Sequence, residues 1–465
     1  MRFQSLLMLA FVGLIAVAVS SCGVDAAERP PNIVLILSDD LGWRDVGFMG
    51  NEFVETPHLD QLAKSGVVFT QAYASAPNCA PTRACLMSGK WTPRHGVYTV
   101  VDPRQPPGSP WHRLQAAESK AELATDFVTV AEALAARGYA TAFFGMWNLG
   151  RGRRGPVTPG GQGFQTVVFP ESIGFGKDEY FDDQGNYLSD RLTDEVLKFT
   201  EANRERPFLV YLADHAVHAP FNPKPNLREK YQRKADASQD RRNDPDYAAT
   251  IQAVDDNVGR IVDWLKRREL ADDTVIVFTS DNGGTSRYNS PLRGGKGELY
   301  EGGIRVPLMM SGPRFAKPGL KVTNPVSTID LYPTLLEWAG GDDVRARGLD
   351  GVSLSAAANG GEPLVDRPLF WHFPCYVGRA TPASAVRVGD WKLVEFFEQG
   401  GKYERYNLHD DPREMHDLAS TEIAKSNELA SILKQWQERT QAALPRGENP
   451  QYDPKARRIR GEVAR

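Results

Sequence analysis

The sequence predicts an α/β protein: a mostly parallel sheet sandwiched by helices, followed by a smaller C-terminal α+β domain that contains an antiparallel sheet. Three observations predict it. Apolar runs at residues 33–37, 139–144, 208–212 and 275–278 are four to six residues long, carry β-branched or aromatic residues and are bounded by polar residues or glycine. Runs of that kind read as strands buried on both faces, the habit of a parallel sheet. Helical patterns lie between them. The texture then changes to Ala, Asn and Gly over residues 354–368, beyond which short runs read as antiparallel strands.

Taken in order, residues 58–65 form a helix that stops at Gly66, a natural residue just past a helix end. Residues 128–137 stop at Gly138 in the same way. Residues 248–267 place Ile251, Val254, Val258, Ile261 and Leu265 on one helical face. Residues 103–110, 160–163 and 220–225 read as loops, and the highly charged stretch 228–246 as a solvated insertion. In the second unit, residues 385–388, 391–397 and 403–407 read as strands and residues 421–440 as a helix. The expected division is a main α/β domain over 30–355, an α+β subdomain over 365–445 and a basic, mobile tail over 446–465.

Length and composition agree with this and exclude other classes. The 465 residues allow two to four domains, or one large α/β domain with a satellite. Hydrophobic residues at 41% and charged residues at 25% exclude a disordered, collagen-like or polytopic membrane chain. A net charge of −4 gives no global attraction to nucleic acid. The four cysteines, Cys22, Cys79, Cys85 and Cys375, form no CxxC pair, which argues against a zinc ribbon or a thioredoxin-like site.

Residues 1–27 read as an export signal. Arg2 precedes an apolar run over residues 6–19, which is shorter than the roughly 20 residues of a membrane span. Val19-Ser20-Ser21-Cys22-Gly23 resembles a bacterial lipobox, in which Cys22 is lipidated and becomes the mature N-terminus. Ordinary cleavage near Ala26 or Ala27 is the rival reading. Both place the mature protein outside the cytoplasm, as a periplasmic, outer-membrane lipoprotein or secreted form, and only a lipid at Cys22 ties it to a membrane.

In an open parallel sheet, ligands bind beyond the carboxyl ends of the strands. Residues 33–37 run into Ser38-Asp39-Asp40, and residues 275–278 into Asp281-Asn282-Gly283-Gly284. Asp214, His215 and His218 follow residues 208–212. Adjacent carboxylates repel unless a cation neutralises them. Asp39, Asp40, Asp281 and Asn282 offer oxygen ligands only, which suits Ca²⁺ or Mg²⁺ rather than zinc. Either pair alone would equally cap a helix or close an Asx-turn. In Cys79-Ala80-Pro81-Thr82-Arg83, Pro81 suits a first helical position and residues 82–88 continue the helix. Cys79 then lies at a helix N-terminus, which favours anions, with Arg83 one turn on. A small buried cysteine is the plain alternative.

Cys79-x-Pro81-x-Arg83 followed by Leu86-Met87-Ser88-Gly89 resembles the sulfatase signature, whose cysteine is converted to Cα-formylglycine. The resemblance continues through Pro31-Asn32-Ile33-Val34, Thr56-Pro57-His58-Leu59-Asp60, Thr92-Pro93-Arg94-His95-Gly96, His218-Ala219-Pro220 and Arg293-Gly294-Gly295-Lys296-Gly297. It extends to Glu301-Gly302-Gly303-Ile304-Arg305-Val306-Pro307, Asp330-Leu331-Tyr332-Pro333-Thr334 and Asp350-Gly351-Val352. It implies the alkaline-phosphatase-like fold and a formylglycine-generating enzyme during maturation. It implies Ca²⁺, with Mg²⁺ second, held by Asp39, Asp40, Asp281, Asn282 and an oxygen of the modified residue 79. It further implies that Arg83 holds the formylglycine hydrate, that Lys296 contacts a sulfate oxygen and that His218 assists departure of the alcohol. Conversion at Cys79 argues against a Cys79–Cys85 disulfide.

Two departures qualify what is carried over. The family usually has Gly-Lys-Trp-His-Leu-Gly where this chain has Gly145-Met146-Trp147-Asn148-Leu149-Gly150. Met supplies no charge, and Asn does not act as a base near neutral pH. Related sulfatases often carry His where Cys375 stands, in a loop of substrate recognition. Thr82 in the signature is a mild variant, since the maturation enzyme mainly needs Cys, Pro and Arg. The expected function is an exported, calcium-dependent sulfatase acting on a sulfated small molecule or polysaccharide. The alternatives are a pseudo-sulfatase that binds anions or glycans, and a phosphate or phosphonate monoester hydrolase on the same scaffold.

Overall fold

The computed structural model describes residues 29–100, 108–176, 179–238, 240, 242–341, 348–362, 364 and 366–456. The export segment with its lipobox at Cys22, residues 103–107 of an expected loop and residues 457–465 of the expected tail lie outside the described residues.

The strands are β1 (Asn32–Ser38), β2 (Val67–Phe69), β3 (Ala72–Tyr73), β4 (Ala140–Gly145), β5 (Thr166–Val168), β6 (Phe208–Asp214) and β7 (Thr274–Ser280), then β8 (Leu308–Ser311), β9 (Leu320–Val322), β10 (Val326–Ser327), β11 (Leu369–Phe373), β12 (Ala383–Val388), β13 (Trp391–Phe396) and β14 (Lys402–Asn407). The helices are α1 (Pro57–Ser65), α2 (Cys79–Ser88), α3 (Thr92–His95), α4 (Val130–Ala135), α5 (Leu188–Ala202) and α6 (Pro225–Asp236), then α7 (Pro245–Arg267), α8 (Glu301–Ile304), α9 (Leu331–Trp338), α10 (Ser355–Ala358) and α11 (Ile423–Thr440).

Eight strands form the central sheet in the order β5-β4-β6-β1-β7-β8-β2-β9, and only β8 pairs antiparallel to its neighbours. Alternate side chains of β1 enter two different cores. Ile33, Leu35 and Leu37 pack with Leu86 of α2, Leu134 of α4 and Leu335 of α9. Val34 and Ile36 pack with Leu59 of α1, Leu192 of α5 and Val254 of α7. The strand is apolar without interruption because both faces are covered. Local signals fix the helix starts. Thr129 and Glu132 close a capping box on α4 through bonds of 3.1 and 2.7 Å. Asp244 caps α7, and Pro245 fills its first turn.

The charged stretch 228–246 is not a solvated insertion throughout. Its first part belongs to α6, which buries Leu227 and Tyr231 against the α7 side of the sheet. Two large apolar residues in a run of charges are enough to seat a helix, and α7 accordingly begins three residues earlier than residue 248. The stretch 160–163 contains a short 3-10 turn rather than plain loop. Pro81 sits two residues inside α2, whose first residue is Cys79.

The antiparallel sheet runs β11-β12-β13-β14 and is covered by Leu429, Leu433 and Trp436 of α11. β11 was not among the strands read from the sequence, and Cys375 lies two residues beyond its end. A buried ion network seats this sheet on α8 and the segment around β3. Lys392 lies 3.1 Å from Glu301 and 2.8 Å from Glu414, all three fully buried. Tyr73 donates to Glu301 over 2.7 Å, and the Trp371 indole donates to the Ala74 carbonyl over 2.8 Å. Glu301 of α8 thus links the antiparallel sheet to Tyr73 of β3, which pairs with β10 in a separate two-stranded sheet.

His372 on β11 is buried between the Ser384 hydroxyl at 2.6 Å and the Ala443 carbonyl at 2.8 Å. Burial pushes its pKa down to about 4. The unfolded chain, with histidine near 6.5, therefore binds more protons between those values, so this group's contribution is present above pH 6.5 and is lost as pH falls towards 4. Urea unfolding between pH 7 and 4.5 should show stability falling by up to about 3 kcal/mol from this group. The slope should flatten in His372→Gln.

Candidate active site

β4, β6, β1 and β7 are neighbours and parallel, so their carboxyl ends open on one edge of the sheet. That edge carries Gly145-Met146, Asp214-His215, Ser38-Asp39-Asp40 and Ser280-Asp281-Asn282. α2 is buried along its whole length and presents its first residue, Cys79, to this edge. The Thr82 hydroxyl donates to the Ala76 carbonyl over 2.9 Å and accepts from the Ala76 amide at 3.2 Å, which closes the turn before Cys79. Threonine therefore does the work of a small hydroxyl residue there.

The structure brings all the expected site residues together. One ligand atom each from Asp39, Asp40, Cys79 and Asp281 lies within 4.8 Å of the other three, all buried. The Cys79 sulfur is 3.3 Å from an Asp39 oxygen and 4.0 Å from an Asp40 oxygen. Arg83 donates through Nε and Nη2 to Asp281 at 3.0 and 2.7 Å, through Nη2 to Asp39 at 3.0 Å, and through Nη1 to the Met146 carbonyl. Lys296 Nζ is 2.7 Å from Asp40 Oδ1, and His218 Nε2 is 3.7 Å from Asp40 Oδ2. The Asn282 amide donates to Asp40 over 2.8 Å.

The electrostatics call for a cation. Three buried carboxylates face two firmly cationic groups, Arg83 and Lys296. Burial pushes Asp281 up to about 7, with Asp39 adding to the rise and Arg83 opposing it. Burial also works against ionised Asp39, but Arg83 and the His215 hydrogen bond hold it well below the usual carboxylate range. The Asn282 carbonyl oxygen is buried with no protein partner, an orphan acceptor of the kind that a ligand satisfies. Three carboxylates, an orphan amide oxygen and the group at residue 79 fit a hard cation bound through oxygen. A second acidic cluster, His58 with Asp255 and Asp256, is spent on structure, since Asp255 accepts from the first amides of α1 at 3.2 and 2.8 Å.

Burial, with Asp281 and Asp39 adding to it, pushes the Cys79 thiol well above its ordinary value. An unmodified thiol is therefore protonated here and is a poor nucleophile. Burial lowers His218 despite Asp39 and Asp40 beside it.

His215 has a place in the site that its position after β6 did not by itself assign. Its Nδ1 is 3.1 Å from Asp39 Oδ2, and its ring stacks on His218 with centroids 4.4 Å apart. The signal available was adjacency to a strand end; the pairing with Asp39 depends on β1 and β6 being neighbours. Asn148 adopts a left-handed φ of 60°, a region asparagine tolerates better than most residues. Cys375 is 3% exposed, and its sulfur faces the Ala117 carbonyl at 3.8 Å. It packs in the core between the antiparallel sheet and α11 and is turned away from solvent.

A family model described as Sulfatase matches residues 31–341, and one described as N-sulphoglucosamine sulphohydrolase, C-terminal, matches residues 295–443. A protein named Sulfatase from Formosa agariphila is 32% identical, over 84% of this chain and 85% of that one. Arylsulfatase A from Homo sapiens is 31% identical, over 89% of this chain and 88% of that one. The crystal structure of Ps i-CgsB in complex with k-i-k-neocarrahexaose is 29% identical with a TM-score of 0.73, over 88% of this chain and 93% of that one. A parallel sheet covered on both faces, with an acidic cage at its strand ends, is the frame of a metal-assisted ester hydrolase. The chain belongs to the sulfatase family, the hydrolases of sulfate esters, and has the alkaline-phosphatase-like fold.

Arg83 is 1% exposed and neutralises two carboxylates, whereas Lys296 is 20% exposed. Removing one partner of a buried ion pair costs about 3–5 kcal/mol. In urea unfolding with chelator present, Arg83→Met should lose that much, and Lys296→Met distinctly less.

Proposed function

We propose that this sulfatase is an exported, calcium-dependent enzyme that hydrolyses carbohydrate or aryl sulfate esters through a formylglycine made from Cys79 by a formylglycine-generating enzyme. The observation that carries the reading is the place of Cys79: first residue of α2, 3.3 Å from Asp39, with Lys296 and His218 both reaching Asp40. The human relative arylsulfatase A and Ps i-CgsB, in complex with k-i-k-neocarrahexaose, support the substrate class. Export rests on the sequence of residues 1–27.

Asp39, Asp40, Asp281 and Asn282 would hold Ca²⁺, and Mg²⁺ would suit the same oxygens less well. Bound there, the ion neutralises charge around the sulfate, and the formylglycine hydrate supplies an oxygen nucleophile. The protein's own side chains do the rest. Arg83 fixes the orientation of residue 79. Lys296 binds a sulfate oxygen on the leaving-group side. His218 holds the proton that the departing alcohol needs, at Nε2.

Met146 and Asn148 stand where the family carries a cation and a base, beside the same cleft. A charged hydrogen bond is worth about 1.5–3 kcal/mol, and general-base help about 10²–10⁴-fold. The two need not add, because such groups act as a unit. Release of sulfate is therefore the slow half of the cycle, while docking is supported by Arg83, Lys296 and His218.

Three outcomes are expected. Peptide mass spectrometry of protein made with the maturation enzyme should show formylglycine at residue 79, and Cys79→Ala should lose turnover while keeping its fold. Elemental analysis should find one calcium per chain, and chelation should lower the melting temperature; stoichiometric zinc would overturn the assignment. The double substitution Met146→Lys with Asn148→His should raise turnover by roughly 10²-fold. A panel of aryl and carbohydrate sulfates with aryl phosphate controls tests the whole reading. No product from any sulfate, with formylglycine confirmed, would favour a glycan-binding protein, for which Met146 and Asn148 are the motive; preference for phosphate would favour the monoester hydrolase.

A further inference from the structure

The segment that leaves β4 carries a feature no part of the cleft chemistry uses. Residues 148–157 form a closed lobe. At its neck the Trp147 indole donates to the Val157 carbonyl over 3.0 Å, and the Leu149 carbonyl accepts from Leu123 at 3.3 Å. Trp147 is buried and packs edge-on against Phe143 of β4, with ring centroids 5.2 Å apart. On the return side the Thr158 hydroxyl donates to the Gly155 carbonyl over 2.8 Å. Residues 151–156 are all exposed. A loop of this length with its ends hydrogen-bonded is a compact Ω-like unit held to the scaffold. Its tip can stand no more than about 15–18 Å from its neck.

The lobe reads Gly150-Arg151-Gly152-Arg153-Arg154-Gly155. No acidic residue occurs between Glu132 and Glu171. Among the described residues no carboxylate pairs with Arg153 or Arg154. Gly152 and Gly155 adopt left-handed φ values of 86° and 123°, so the tip turns tightly without side chains that would cover the arginines. The whole chain carries a net charge of −4, so this concentration of guanidinium groups runs against its overall balance. Guanidinium forks match oxyanions in pairs of hydrogen bonds. The neck is continuous with Met146, whose carbonyl accepts from Arg83.

We propose that this lobe is a docking subsite for a further sulfate on a polysulfated glycan whose reacting sulfate lies in the cleft. The inference rests on the sulfatase reading above and names the form of its substrate: a polymer or oligomer with sulfate on neighbouring sugars, rather than an isolated monosulfate. Arg153 and Arg154 hold the chain by charge next to the cleft wall that lacks a cation at Met146.

The test uses the full-length protein, with Arg153→Glu/Arg154→Glu as the reversal and Arg153→Lys/Arg154→Lys as the charge-keeping control. Binding is read first, on protein blocked by Cys79→Ala, by calorimetry with ι-carrageenan oligosaccharides, with the same oligosaccharides after desulfation, and with an alginate oligomer of similar charge. The expected result is salt-sensitive binding of the sulfated oligomer, weakened about tenfold by the reversal and retained by the lysine pair. Turnover is read second, as the ratio of KM for the sulfated oligomer to KM for p-nitrophenyl sulfate. That ratio should rise about tenfold in the reversal with little change in kcat. Equal binding of alginate or of the desulfated oligosaccharides, or binding of the sulfated oligomer that the reversal leaves unchanged, overturns the proposal. If the wild-type enzyme turns over no sulfate ester, the sulfatase reading fails on its own, and the binding arm still decides whether the lobe takes a polysulfated chain.

Discussion

The site depends on one buried cation. Arg83 reaches Asp281 at the end of β7, Asp39 at the end of β1 and the Met146 carbonyl at the exit of β4. A planar guanidinium can satisfy three acceptors in different directions from a fixed stem, which a lysine cannot. Because α2 is buried throughout, fixing Arg83 also fixes Cys79 one turn earlier. Nucleophile position, acidic cage and strand ends are thus a single arrangement. With three carboxylates against Arg83 and Lys296, the cage is one that a bound cation would stabilise.

The second constraint is close backbone approach around Lys296. A side chain on Gly283 would meet the Gly302 carbonyl at 2.0 Å, so the turn after Asp281-Asn282 and the start of α8 lie backbone to backbone. Gly283 also donates to the Gly303 carbonyl over 2.9 Å, and the Lys296 amide to the Gly284 carbonyl over 3.1 Å. Glu301, in the same segment, takes the buried Lys392 of the antiparallel sheet. The C-terminal sheet therefore helps set where Lys296 stands, although none of its own side chains described above reaches the cage.

What was legible in the sequence follows from this physics. Fully buried strands such as β1, β6 and β7 announce themselves by uninterrupted apolar residues, and the polar residues that end them mark the site. α6 was hidden because its charged surface outweighs Leu227 and Tyr231 in any average over the segment. β11 was hidden because His372 interrupts its apolar run; in the fold His372 satisfies its two nitrogens in the interior and Trp371 anchors to Ala74. The cage residues came from strand ends and from the signature. The pairing of His215 with Asp39 did not, because it follows from strand order, which is not written in any local pattern. Cys375 shows the converse: a position of functional interest by resemblance whose side chain here packs in a core.

The cleft that results is asymmetric in charge. Its firm cations enter from α2, as Arg83, and from the loop after β7, as Lys296; His218 enters from the loop after β6. After β4 the chain carries Met146 and Asn148, and its backbone serves Arg83 through the Met146 carbonyl. That carbonyl explains how the side chains at 146 and 148 can change while the cage stays assembled: the structural duty of the segment is carried by main chain, and the chemical duty by side chains. Backbone and side chain are thereby uncoupled at the one wall of the cleft where this chain departs from its family. The arrangement of Arg83, Asp39 and Asp281 is thus assembled without any contribution from the side chains at 146 and 148.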